Sequence, residues 1–200
     1  MKPVRGKAAP IPDPDDVAVD SQGRILVGGN GCITEVHSFD GGSDIVLHSG
    51  FANIDAITVD SSDNIVVLDG EYYVKRIDRS TGERQVLYTI AGYSSDLGVN
   101  AAGNLFVGGN TPGQLIKIDS SGNSAQIATS DLGFAGFAPA RGGAFGADLY
   151  VTRGSAQVRD VLRIDDAGTL TAFASTQVTI GGLAFSPSGD LYVAEYLAGA

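Results

Sequence analysis

From Asp16 onward, apolar and polar residues alternate in short runs, broken at regular intervals by Gly, Asp, Asn and Ser. The stretch ITVDSSDNIVVLD at Ile57–Asp69 shows the unit, two β-type runs flanking a four-residue turn. It returns as VAVDSQGRILVGG at Val17–Gly29, LGVNAAGNLFVGG at Leu97–Gly109 and LAFSPSGDLYVAE at Leu183–Glu195. A looser copy, FAPARGGAFGADLYVTR, covers Phe137–Arg153. Aligned on the apolar residue that opens the second run, the copies fall at Ile25, Ile65, Leu105, Leu149 and Leu191. The spacings are 40, 40, 44 and 42 residues.

A repeat of this length made only of strands and turns is that of a four-stranded propeller blade. A third run ends in an apolar residue and Asp at Asp78, Asp119 and Asp165, with a related run ending at Asp40. Fourth runs start at Asp44, Arg84, Ser124 and Leu170. The expected fold is all-β, a β-propeller of four-stranded antiparallel blades. About 4.5 blades are present, as part of or related to a six-bladed propeller. The blades are expected at about 16–50, 51–91, 92–132 and 133–175, with a partial blade at 176–200. Residues 1–15, rich in Pro, are expected to form an extended arm.

The turns follow one rule. Asp, Asn or Ser at the first position and Gly at the fourth recur at Asp20–Gly23, Asn100–Gly103, Asp119–Gly122, Asp165–Gly168 and Ser186–Gly189, as type I turns prefer. Their side chains are expected to cap their own turns. Gly28-Gly29 and Gly108-Gly109 precede no helix, so they are not phosphate loops, and close approach between blades is their expected role.

With LYVAEY, VVLDG and LFVGGN placed as second strands, the repeat resembles the NHL-type blade. More broadly it resembles the superfamily of gluconolactonase/SMP-30-like, strictosidine-synthase-like and streptogramin-lyase-like propellers. Ile57–Asp60, Asn64–Asp69 and Arg76–Asp78 carry the resemblance best. The WD40 repeat is excluded because the chain has no Trp. This blade hosts lactonases, lyases and binding modules alike, so the resemblance implies a fold before it implies an activity.

Composition narrows the classes. The formal net charge of −10 disfavours a nucleic acid partner, whose phosphates need a cationic surface. A single Cys32 excludes an internal disulfide and a Cys-based metal cluster. No apolar run reaches a membrane span, and the N-terminus lacks the apolar core of an intact signal peptide. A soluble protein with no membrane association is expected.

Chemistry is expected on the face where each inner strand starts and each second strand ends. The inner starts hold Asp15, Asp16, Asp55, Ser95, Asp96, Gly136 and Gly181; the second-strand ends hold Asn30, Asp69, Glu71, Asn110, Arg153 and Glu195. Converging carboxylates and amides suit a hard cation, so Asp55, Asp69, Asn110 and Glu195 are the candidate ligands for Ca²⁺ or Mg²⁺. In that reading Asp69 is a candidate general base and Arg153 orients an anionic substrate group. Asp55, Asn110, Tyr72 and Tyr196 are candidate ligand-binding residues, the aromatics gripping a sugar or peptide.

His37 and His48 stand near no Ser or Cys nucleophile at recognisable spacing and are assigned to surface or packing roles. Arg76, Lys117 and Arg163 recur at one place in the third strand and are expected to pair with nearby turn acids. Three functions stay open: a propeller binding a small molecule or protein at its acidic central face, a metal-dependent hydrolase or lyase, and an incomplete propeller without activity of its own. An open blade edge also raises the expectation of self-association.

Overall fold

The computed structural model describes residues 13–37, 44–109, 113–140, 142–154, 159–176 and 179–196. Among the described residues, eighteen strands and one short 3₁₀ turn make an all-β protein of antiparallel blades arranged as a β-propeller. The first blade pairs β1 (Pro14–Val19), β2 (Ile25–Gly29), β3 (Cys32–Val36) and β4 (Ile45–Ser49) in sequence order. The second pairs β5 (Ile54–Val59), β6 (Ile65–Asp69), β7 (Tyr73–Ile77) and β8 (Arg84–Thr89). Next come β9 (Ser94–Val99), β10 (Leu105–Gly109), β11 (Gly113–Ile118) and β12 (Ser124–Ser130). The fourth blade holds β13 (Gly133–Pro139), β14 (Leu149–Gly154), β15 (Arg159–Ile164) and β16 (Leu170–Thr176). A two-stranded sheet of β17 (Thr179–Phe185) and β18 (Leu191–Tyr196) follows. Backbone contacts group the chain into two compact units, Met1–Ile90 and Ala91–Ala200.

β1 starts at Pro14, inside the stretch expected as an arm. Pro is tolerated there because it opens the strand. His37 lies one residue past β3, and His48 lies inside β4.

Two bulges recur with the blade period. In the inner strands Asp15, Asp55, Ser95 and Gly136 are skipped by the ladder, and β17 is irregular between Ile180 and Leu183. In the outer strands Leu47, Leu87, Ile127 and Phe173 are skipped. A bulge re-aims a side chain that strict alternation would send the other way. Leu47 and Ile127 accordingly pack onto the cores of their units.

Those cores lie between successive blades. In the first unit Leu26 and Ile33 of one blade meet Ile57, Ile65, Val67 and Ile77 of the next. In the second, Phe106 and Leu115 meet Leu149, Val151 and Ile164, and Tyr150 with Val161 meets Leu183, Phe185, Leu191 and Val193. Burying each such side chain contributes about 1.5–3 kcal/mol. Close approach needs small residues: a Cβ on Gly28 would stand 2.5 Å from Ile54 Cγ2, and one on Gly108 would collide with the Phe134 carbonyl.

The turn acids cap their own turns. Asp20 Oδ1 accepts the Gln22 and Arg24 amides, Asp60 those of Ser62 and Asn64, and Asp119 those of Ser121 and Asn123. The Ser80 hydroxyl, with the Thr81 amide, pulls Asp78 down to about 2. The Asn123 side chain lowers Asp119, and the Thr169 amide lowers Asp165. Their folded pKa values lie below the usual 3.8, so their stabilisation is present above about pH 4 and is lost as pH falls through the folded values. Asp16 acts with the opposite sign: burial raises its carboxyl, and its contribution grows as pH falls through that raised value. Because the lowered acids outnumber it, thermal melts should hold steady down to about pH 5 and fall steeply from pH 4 to 2. A flat profile would contradict the capping role.

Candidate functional site

In the second blade, the end of β6 and the start of β5 bring three expected residues together. Asp69 closes β6 and is buried, with 3% exposure. Its Oδ1 accepts the Ala52 amide at 2.7 Å and the Asn53 amide at 3.4 Å, and its Oδ2 takes the Lys75 ammonium at 2.5 Å. Asp55, the bulged residue of β5, accepts the Asn53 side-chain amide at 2.8 Å and the Glu71 backbone amide at 2.9 Å. Both carboxylates therefore hold backbone in place.

What they hold is the hairpin between β6 and β7. The ladder pairs Asp69 with Tyr73, so the loop between them is three residues, Gly70, Glu71 and Tyr72, and the first two have positive φ, 61° and 65°. The Gly70 amide donates to the Asn53 carbonyl at 3.0 Å, and the Ile90 amide to the Tyr72 carbonyl at 2.8 Å. Tyr72, the last residue of this loop, and Tyr73, the first of β7, are 41% and 44% exposed. The Lys75 ammonium lies 5.3 Å from the Tyr73 ring centroid, within cation–π range. Sequence reasoning passed over Lys75; its one signal is a charge next to the buried Val74.

The second unit places its candidates differently. Arg153 lies in β14 and forms an ion pair with Asp160 on β15 at 2.6 Å, and its buried Nε has no hydrogen-bond acceptor among the described residues. The Ser94 hydroxyl donates to the Gly108 carbonyl at 2.6 Å, and the Ser95 hydroxyl to the Phe134 carbonyl at 2.9 Å. Asp96 accepts the Phe137 amide at 3.1 Å. Asn110 falls outside the described residues, as do the side chains of Glu195 and Tyr196, which end β18.

The basic residues of the third strands find acids or carbonyls. Arg76 meets Asp60 at 3.0 Å, Arg163 meets Asp148 at 2.6 Å, and Lys117 donates to the Asp166 carbonyl at 2.6 Å. His37 stands 3.1 Å from Glu35, and burial holds His48 below the usual histidine range. Among the described residues no group of three or more His, Cys, Asp or Glu side chains is placed to hold a metal ion. No helix there is long and apolar enough to cross a membrane.

No family model matches the chain, and no curated protein matches it. Solved structures do. The chain is similar to a gluconolactonase from Xanthomonas campestris, with a TM-score of 0.69 at 18% identity over 90% of this chain and 68% of that one. It is similar to streptogramin B lyase, with a TM-score of 0.67 at 16% identity over 94% and 64%. For virginiamycin B lyase from Staphylococcus aureus the TM-score is 0.69 at 15% identity, over 92% and 63%. The chain thus spans roughly two thirds of the length of these proteins, and at these identities the similarity establishes a shared propeller fold.

Proposed function

We propose that the chain is a binding propeller that takes a ligand at the hairpin of Gly70–Tyr73. The observation that carries this reading is a pair of exposed tyrosines on a turn fixed from beneath by two carboxylates. Two residues of positive φ and a dense set of backbone bonds make the turn rigid before any ligand arrives, so binding there orders little. Aromatic rings beside Asp55 and Glu71, in a protein of net charge −10, suit a ligand that presents a cation, whether a small molecule or a basic protein segment. Lys75 already occupies such a place within the chain, between Asp69 and the Tyr73 ring.

The chain has no Trp, so its tyrosine emission can report the event directly. Titration with an oligolysine peptide should quench that emission, and a neutral oligosaccharide should not. Tyr72→Ala combined with Tyr73→Ala should weaken binding about tenfold or more, a loss of about 1.4 kcal/mol. Unchanged affinity in the double variant would remove the hairpin from the site.

The second reading, a metal-assisted hydrolase or lyase, is favoured by the similarity to the gluconolactonase and the two lyases. It needs Ca²⁺ or Mg²⁺ on residues such as Asp55 and Asp69. All four of their oxygens already accept N–H donors, so a cation would have to displace one, the Lys75 ammonium among them. As folded, these two residues do not fit a hard cation well. A thermal melt in EDTA and again with Ca²⁺ separates the readings. A metal held by the folded state alone at a hundred times its Kd would add about 2.7 kcal/mol.

A further inference from the structure

Among the described residues, four other than glycine hold their backbone at positive φ. Three of them, Asp13, Asn30 and Asp63, are the short polar types that a local side-chain hydrogen bond eases into this conformation. The fourth is Glu71, at 65°. Its longer side chain offers no such bond, and its Cβ crowds the backbone there. The first blade solves the same problem more cheaply. Its hairpin after Gly29 carries Asn30 and Gly31 at 45° and 68°, so a glycine stands where the second blade has Glu71.

No contact among the described residues accounts for the glutamate. The bond that holds residue 71, its amide donating to Asp55 Oδ2 at 2.9 Å, is made by the backbone and would serve a glycine equally. The Glu71 carboxylate itself has no hydrogen bond or ion pair among the described residues. The residue is half-buried and adjoins the exposed Tyr72 and Tyr73. The same hairpin already shows what an acid and a tyrosine ring hold together. The Lys75 ammonium lies 2.5 Å from Asp69 Oδ2 and 5.3 Å from the Tyr73 ring centroid. That place is filled from within the chain, and Glu71 is the neighbouring acid left without a cation.

We infer that Glu71 is the residue that sets the specificity of the hairpin, and that the group it takes is the primary ammonium of a lysine side chain. This rests on the reading of the hairpin as a binding site and names its ligand. A carboxylate only accepts hydrogen bonds, so its best cation brings N–H donors. A quaternary ammonium brings none and depends on aromatic faces alone. Lys75, seated between Asp69 and Tyr73, is the arrangement the ligand repeats on the outer side. The strain at residue 71 is then the stability that the chain forgoes to keep an acid at this place.

The experiment titrates the tyrosine emission of the full chain with an oligolysine peptide and with the same peptide trimethylated at every Nζ. Trimethylation keeps the side-chain charge and removes the donors. The wild type should bind the unmodified peptide at least about fivefold more tightly. Glu71→Gln and Glu71→Gly should each weaken it about tenfold and bring the two peptides level. Glu71→Gly should also melt about 2–4 °C higher than the wild type, so that its lost binding is not a lost fold. A wild type that binds neither peptide would overturn the hairpin as a site, and this inference with it. If Tyr72→Ala with Tyr73→Ala abolishes binding while both Glu71 variants keep full affinity, the hairpin stands and the role of Glu71 falls. A wild type indifferent to trimethylation, or a Glu71→Gly melt below the wild type, would overturn that role as well.

Discussion

Replacing Arg79 with Ala is expected to remove about 3–5 kcal/mol of stability, because it strips the buried Glu35 carboxylate of its guanidinium partner and takes one of two from Asp20. Arg79 follows β7 and reaches into the preceding blade. Its guanidinium stands 2.9 Å from Asp20 and 2.6 Å from Glu35, whose side chains are 0% and 9% exposed. Arg24 still contacts Asp20 at 2.6 Å, so the larger part of the loss should come from Glu35, left among the described residues with half-exposed His37. The second unit contains the same junction with its charges rearranged. Asn100, Asn104, Lys117 and Asp166 stand where Asp20, Arg24, Glu35 and Arg79 stand in the first. There the Asn100 side chain donates to Asp166 at 3.0 Å, and Lys117 reaches the Asp166 carbonyl. Moving that set into the first unit, as Asp20→Asn, Arg24→Asn, Glu35→Lys and Arg79→Asp, should therefore restore at least half of what Arg79→Ala loses. Denaturant melts of the two variants beside the wild type measure both numbers. A fourfold variant as unstable as Arg79→Ala would show that the junctions are not equivalent.

Phe106→Ala should cost a similar amount, about 3–5 kcal/mol, through the cavity it leaves. Phe106 is fully buried in β10 and faces Gly98 across the ladder. A Cβ on Gly98 would lie 2.5 Å from Phe137 Cβ, so the glycine exists to let Phe137 sit against this strand pair. Removing the Phe106 ring would leave two neighbouring positions without bulk, and two hydrogen-bonded sheets cannot collapse into the gap. Phe106→Leu, the residue at the matching place in the first blade, should cost less than about 1.5 kcal/mol. Equal losses from the Leu and Ala variants would mean that the ring's shape, and not the volume, decides the packing.

The blade period was legible because period-two alternation and Asx-to-Gly turns are local signals, each complete within some thirteen residues. The capping of Asp60 or Asp119 was legible for the same reason, since donor and acceptor lie two to four residues apart. What the sequence left open is what joins blades. Arg79 meets Glu35 across 44 positions, and Ser21 meets Asp63 across 42, pairs that only the folded register brings together. Asp69 illustrates the limit at the candidate site. Its place at the end of a second strand could be read from the repeat, and that place suggested a base or a metal ligand. Its partners, the amides of Ala52 and Asn53 and the Lys75 ammonium, depend on how the inter-blade loop turns. Asp55 was placed with the same success and the same limit: its position was clear, and its grip on the Glu71 amide was not.

Asp16 accepts the Ile57 amide at 2.8 Å, and Asp96 accepts the Phe137 amide at 3.1 Å, eighty residues further along. The intervening blade has Ala56 at the matching place. Among the four complete blades a giver thus alternates with a taker, and a pair of blades is the smallest unit that carries the clasp. A gene growing by whole modules adds about eighty residues at a time and keeps every clasp. One that gained a single blade would set two givers or two takers side by side, and the misfit would be selected against at the level of the duplication itself.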